Sequence, residues 1–195
     1  MNNDKNNQGM GSVVEVVFGE PIYQDTILGN SFNIGPSSYF KGNTVQAEVL
    51  TSTLIDLLDL QGHEIVLDAN CGVGMVALSL AKKVKSVVGI DRVCESVELA
   101  QANATKNDIE NATFECTSLQ EVVGTSSKFD VVIIDPASRG LNAQSIETIV
   151  QAKPSKVAYI SSDLTSLVKD VETFNQHGYE ITKIVPIDML PQTTH

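Results

Sequence analysis

An apolar run, Ile65-Val66-Leu67, ends in Asp68, turns through Ala69-Asn70-Cys71-Gly72-Val73-Gly74, and continues as Met75-Val76-Ala77-Leu78-Ser79-Leu80-Ala81. The order predicts a strand, a glycine turn and a helix. Gly72 and Gly74 can take backbone angles closed to other residues, and without a Cβ they let a ligand lie close against the chain. The helix that follows aims its first N–H groups at whatever fills the turn. A second acid, Asp91, closes the next apolar run, Ser86-Val87-Val88-Gly89-Ile90. An acid at the end of a second strand can accept hydrogen bonds from both hydroxyls of a ribose. Turn and acid together point to a nucleoside cofactor.

The pattern around this unit alternates. Strands are predicted at 64–69, 86–91, 112–116, 129–134, 156–160 and 180–188, and helices at about 74–83, 94–107, 118–123, 142–151 and 163–176. Units of this length imply a mostly parallel sheet with helices on both faces, the α/β class. Val131-Val132-Ile133-Ile134 and Val157-Ala158-Tyr159-Ile160 suit central, doubly buried strands. Upstream, Asn43 or Thr44 caps a helix whose apolar positions Val45, Val49, Leu50, Leu54, Leu57 and Leu58 recur at helical spacing. Val13–Phe18 reads as a strand, and Ile22-Tyr23 and Ile27-Leu28 as short strands, with Gly29-Asn30 turning into Ser31–Ile34. Residues 1–11 are polar and Asn-rich, which predicts a disordered tail. The organisation expected is therefore a tail at 1–11, strands and a loop at 12–42, and one domain at 43–195.

Length and charge narrow the function. A chain of 195 residues makes one domain rather than two. Thirteen Lys and Arg against 24 Asp and Glu give a net charge of −11, whereas a freestanding nucleic-acid binder carries a basic face. The N-terminus has no apolar core of the kind a secretory signal needs, and no apolar run is long enough to span a bilayer. Cys71, Cys94 and Cys116 are odd in number and lack metal-ligand spacing, so they read as free thiols in a reducing cytoplasm with no metal site.

The turn does not extend to Gly-x-Gly-x-x-Gly, because position 77 is Ala, so a dinucleotide fingerprint fits only loosely. The Asp68–Gly74 pattern fits S-adenosylmethionine better than a nicotinamide cofactor. Asp135-Pro136-Ala137 follows the fourth strand of the alternating series, and an acid there sits in the crevice where open α/β sheets bind ligands.

With these motifs in view the chain resembles the catalytic domain of the RNA (uracil-5-)-methyltransferases. The resemblance is carried by Phe32-x-Ile34-x-Pro36-x-x-Tyr39-Phe40-x-x-Asn43, Leu67-Asp68-x-x-Cys71-Gly72-x-Gly74, Gly89-Ile90-Asp91, Asp135-Pro136-Ala137, Tyr159-Ile160-Ser161 and Asp188-Met189-Leu190-Pro191-Gln192-Thr193-x-His195, in that order. It implies a Rossmann-like class I fold, S-adenosylmethionine as cofactor, and transfer or ribosomal RNA as partner. In that family a cysteine thiolate adds to carbon 6 of uracil, carbon 5 takes the methyl group, and a glutamate helps remove the carbon 5 proton. By position, Asn70 falls at a cofactor-contacting aromatic, Asp91 at the acid on the cofactor ribose, Ser118 near the adenine-contacting position, and Asp135 between cofactor and uracil. Lys41 stands at a glutamine that contacts cofactor and base.

The departures from the family concern the chemistry. Ser162 occupies the position of the nucleophilic cysteine, in Tyr159-Ile160-Ser161-Ser162-Asp163. A thiol titrates near ~8.5 and a local environment can lower that, but a hydroxyl has no comparable anionic form without a strong base beside it. The chain stops at His195, before the family's acid and before the seventh, antiparallel strand of its sheet. The expectation is a cofactor-binding domain that is weak or inactive at uracil. Its strand 180–188 is left as an unpaired edge or pairs with another chain, and RNA binding by the chain alone is weak. A catalytically dead binding or regulatory module, and a methyltransferase with a different target and no covalent step, fit the same residues.

Overall fold

The computed structural model describes residues 15–124, 128–136 and 138–193. The tail expected at 1–11, Val13-Val14, Ala137 and His195 lie outside the described residues. The chain opens with a hairpin, β1 (Tyr23–Ile27) and β2 (Asn30–Ile34), paired antiparallel with Ile27 opposite Asn30. The turn residues are Leu28 and Gly29, one position earlier than expected, both at positive φ (48° and 80°) as a tight two-residue hairpin loop requires. Residues 15–18 form no strand, contrary to expectation, and Val17 and Phe18 are almost fully exposed. An apolar alternation makes a strand only where a partner accepts its hydrogen bonds, and no described strand pairs with it.

Helix α1 (Thr44–Leu58) is capped by Asn43, whose side chain accepts from the Gln46 N–H. Such a cap contributes about 1 kcal/mol. Then come β3 (Ile65–Asp68), α2 (Met75–Leu80), β4 (Ser86–Asp91), α3 (Cys94–Lys106), β5 (Ala112–Cys116), α4 (Leu119–Gly124), β6 (Val131–Ile134), α5 (Ala143–Ala152), β7 (Lys156–Tyr159) and α6 (Leu164–Gln176). The five strands β3 to β7 form one parallel sheet in the order β5-β4-β3-β6-β7. From the central β3 the chain moves outward through β4 and β5, then returns to β6 on the other side of β3.

Side chains alternate between two cores because strand residues alternate between sheet faces. Val66, Val131 and Ile133 join the core beneath α1, α2, α3 and the hairpin. Leu67, Val132 and Ile134 join the second, with Ile146 and Ile149 of α5 and Phe174 of α6. Gly89 of β4 admits the Phe114 ring, since a Cβ there would stand 2.5 Å from it. The hairpin is fastened to α3 by side-chain amides. The fully buried Asn103 accepts from the Asn33 N–H at 2.8 Å and donates to the carbonyls of Asn33 (3.1 Å) and Val73 (3.0 Å).

Two further expectations are corrected here. Residues 180–188 form no strand, and Ile181, Ile184 and Val185 are exposed. The segment is tied at each end, by Tyr179 Oη donating to the Pro154 carbonyl and by Asn43 Nδ2 donating to that of Met189. Between those ties no described strand offers it a ladder, so the sheet has five strands rather than six. Cys94 and Cys116 are joined in a disulfide, not free. Cys116 pairs in register with Asp91, and α3 begins at Cys94 just beyond it, which leaves the two Cα atoms 5.0 Å apart. That is within disulfide reach, and the neighbourhood comes from strand pairing that cysteine spacing does not reveal. Cys71 alone is free and buried. No described helix is long and apolar enough to cross a membrane.

Replacing Asn103 by Ala leaves the Val73 carbonyl without this partner in a buried place and the Asn33 N–H and carbonyl without it in a half-buried one, each costing about 1–3 kcal/mol when fully buried and unpaired. Urea denaturation of Asn103→Ala is expected to show a loss of ~3 kcal/mol; a loss below ~1 kcal/mol would mean that water replaces the amide.

Candidate functional site

The site lies at the carboxyl ends of β3, β4 and β6, where the strand order reverses and the loops after β3 and β6 diverge. After β3 the chain makes the turn Ala69–Gly74. Gly72 sits at φ 53° and Gly74 at φ 86°, both in the left-handed region. A side chain at Gly74 would crowd Phe114 and Leu78 at 3.1–3.2 Å, so this glycine is required by packing as well as by conformation. Asp91 closes the turn from β4. One of its carboxylate oxygens accepts from the Gly72 N–H at 3.0 Å and the other from the Val93 N–H at 3.0 Å. A carboxylate has about four lone-pair sites, so Asp91 keeps capacity to accept from a ligand while it holds the turn.

Asp68 is buried beneath the turn and accepts from the Ala77 N–H in the first turn of α2 at 3.2 Å. Burial, and then the negative charge of Asp135, push its carboxyl up to about 7 despite that hydrogen bond. Asp135 follows β6. Its Oδ2 lies 2.7 Å from Nζ of Lys41, an ammonium delivered by the loop before α1 and only 10% exposed. The same ammonium stands 5.3 Å from the centre of the Tyr39 ring. The loop passes over the glycine turn, where a Cβ on Gly72 would meet the Tyr39 carbonyl at 3.5 Å. Cys71 packs inside the turn, and burial drives its thiol far above the ordinary range.

Beside the turn a cavity of ≈ 230 Å³ opens between Asn70, Asp91 and Arg92 on one side, Thr117, Ser118, Leu119 and Gln120 on another, and Leu141, Asn142 and Ser145 on the third, floored by Ala69, Ile90 and Ile134. It has an apolar floor for a flat ring and a polar rim with a carboxylate, the chemistry an adenosine needs. Ser118 turns its hydroxyl to Glu121 Oε2 at 2.7 Å, and the Ser118 N–H and the Thr117 hydroxyl also donate there. These bonds, the Ser118 hydroxyl first, hold the Glu121 carboxyl down at about 2.

The structure brings Asn70, Asp91 and Ser118 to one cleft, ties Gly72 to Asp91 beside it, packs Gly74 against Phe114 and Leu78, and pairs Lys41 with Asp135 near Asp68. Ser162 stands apart from the cavity. It is exposed in the loop after β7, next to Asp163, which caps α6 by accepting from the Ser166 N–H at 2.7 Å. The sequence reading missed the third wall, Leu141, Asn142 and Ser145. Asn142 is legible as a helix cap, accepting from the Ser145 N–H. That the cap faces the cleft depends on β6 lying beside β3.

Sheet order, glycine turn and acidic strand end define the class I S-adenosylmethionine-dependent methyltransferase fold. A family model described as a methyltransferase domain matches residues 60–184. The chain belongs to that family. It is 39% identical over 199 residues to a protein of Listeria innocua named an uncharacterized RNA methyltransferase, covering 100% of this chain and 44% of the relative. It is 37% identical over 198 residues to one so named in Streptococcus mutans, covering 99% of this chain and 44% of that one. Among solved structures it resembles the tRNA (uracil-54, C5)-methyltransferase of Pyrococcus abyssi in complex with S-adenosyl-L-homocysteine, with a TM-score of 0.79 and 30% identity over 97% of this chain and 46% of the other. A precorrin-6y C5,15-methyltransferase of Geobacter metallireducens, at TM-score 0.65 and 18% identity over 76% of this chain and 77% of that one, shares the fold. The chain spans less than half the length of the curated relatives it matches.

Asp68 makes stability depend on pH. The unfolded chain releases this proton near 3.8, whereas the folded chain holds it to about 7. Its contribution is full below the first value and is lost as pH rises through the second, an upper bound of ~4 kcal/mol. Asp68→Asn cannot ionise. Denaturation at pH 4.5 and 7.5 is expected to show the variant gaining on the parent by a few kcal/mol at the higher pH; a constant difference would refute the burial argument.

Proposed function

We propose that residues 43–195 are the methyltransferase domain of an RNA-modifying protein, with S-adenosylmethionine in the cleft beside the glycine turn. The observation that carries this is the Gly72–Asp91 closure, which holds a carboxylate at the edge of an adenosine-sized cavity. In this reading Asp91 accepts from the ribose hydroxyls and Ser118 borders the adenine. Asn70 and Gly72 let the ligand lie along the turn, Gly74 gives the turn its backbone angle, and Asp68 braces the start of α2 below it. When bound, the cofactor supplies an electrophilic methyl group carried on a sulfonium. Lys41 and Asp135 border the end where that group is presented.

RNA as the substrate class is supported by the printed names of the relatives and by the likeness to a tRNA methyltransferase. With a net charge of −11, most of the grip on RNA comes from elsewhere. A cytoplasmic setting fits that substrate. The resemblance to uridine-C5 enzymes suggests uracil as the target base, but Ser162 is an exposed hydroxyl where a thiolate is needed. We therefore read this chain as weak or inactive at uracil carbon 5. The Lys41–Asp135 ion pair favours a second reading, a module that binds the cofactor and performs no uracil chemistry, because it engages the carboxylate the base would need.

Calorimetry with S-adenosylmethionine is expected to show one site, weakened at least tenfold by Asp91→Ala; absence of binding at high micromolar ligand would overturn the cofactor reading. Tritium release from 5-tritiated uridine in RNA is expected to stay at background. Clear turnover by the parent chain would overturn the reading of Ser162, and a rise in Ser162→Cys would support the uracil target.

A further inference from the structure

The Lys41–Asp135 pair has a consequence that follows from charge alone. The methyl donor and the product left after transfer share their adenosine and amino-acid parts. They differ by one methyl group and one positive charge on sulfur. Residues that touch the shared parts, such as Asp91 and Ser118, move both affinities together. Groups near the sulfur separate them, either by contact with the methyl or through its charge, and a carboxylate acts on the charge.

Asp135 follows directly on Ile134, which floors the nucleoside cavity, and its charge is felt by Asp68 at the start of the glycine turn. In the proposed cofactor reading, a ligand whose adenosine fills that cavity extends its sulfur-bearing end past the turn toward Asp135, the residue after the cavity-floor Ile134. An unpaired carboxylate there would favour the cation strongly, because the surroundings are largely withdrawn from water. Here it is compensated by Lys41, 2.7 Å away, with the two side chains 10% and 23% exposed. Arg92, the cation that lines the cavity itself, belongs to its nucleoside end.

We propose that Lys41 is a specificity-determining residue: by neutralising Asp135 it brings the affinities for the cationic sulfonium donor and the neutral thioether product close together. This rests on the reading of the cleft as an S-adenosylmethionine site. It acts through Asp135 and requires no contact between Lys41 and the ligand. A domain built this way retains product about as well as it takes up donor.

The test is the ratio of the dissociation constants for S-adenosylhomocysteine and S-adenosylmethionine, measured by calorimetry on one preparation of each variant. A partly unfolded sample changes the stoichiometry but leaves the ratio intact. The parent is expected to bind both within about threefold. Lys41→Met should shift the ratio about tenfold toward the sulfonium. Asp135→Asn, which leaves the ammonium uncompensated, should shift it the other way, and Lys41→Arg should restore the parent ratio. If Lys41→Met and Asp135→Asn change both affinities equally, or shift the ratio in the same direction, the proposal is overturned although the cofactor site stands. If the parent binds neither ligand, the cofactor reading itself fails, and the proposal with it.

Discussion

The pairing of β3 with β6 is the contact on which the site depends. Val66, Leu67 and Asp68 lie in register with Val131, Val132 and Ile133, so the chain that left β3 toward β4 and β5 returns on its opposite side. Crossovers between parallel strands are right-handed, and reversing direction at β3 therefore puts α2 and α3 on one face and α5 and α6 on the other. The loops after β3 and β6 must part, and the crevice between them holds Asp68, the glycine turn and Asp135. Had β6 paired beyond β5, the same side chains would have been spread along one edge with no cleft between them.

Several features of the cleft are costly to the fold. Asp68 is a carboxyl buried under a turn and near two other acids. Gly72 and Gly74 hold backbone angles that add unfolded-state entropy. Asp91 holds two loop N–H groups in fixed positions and keeps accepting capacity toward the cavity. Lys41 offsets part of the accumulated negative charge from outside the sheet. The Cys94–Cys116 disulfide joins the start of α3 to the end of β5, beside the Arg92 and Thr117 wall of the nucleoside end, which limits how far that wall can move.

Much of this was legible in order of residues. Val131–Ile134 read as a doubly buried strand, and its alternate side chains enter separate cores. The cap Asn43 accepts an N–H three residues on, as a short polar side chain before an apolar period does. Asp68 and Asp91 end their strands, and Gly72 and Gly74 take the left-handed turn, as the order of residues implies, because these positions are set within a strand, a turn and the next strand. Residues 15–18 and 180–188 misled because alternation alone does not supply a ladder partner. The cysteines misled because parity says nothing about which strands are neighbours.

By itself, then, the sequence determined the local elements, the α/β class and the acids and glycines of a nucleoside-binding turn, since these follow from periodicity, capping and steric freedom within a few residues. Only the tertiary structure decided that Lys41 meets Asp135, that Asn103 fastens the hairpin, and that Asn142 walls the cleft. It also decided that Ser162 is exposed after β7 and does not line the nucleoside cavity. These relations join segments far apart in the chain, and strand order in the sheet, which no local pattern encodes, is what brings such segments together.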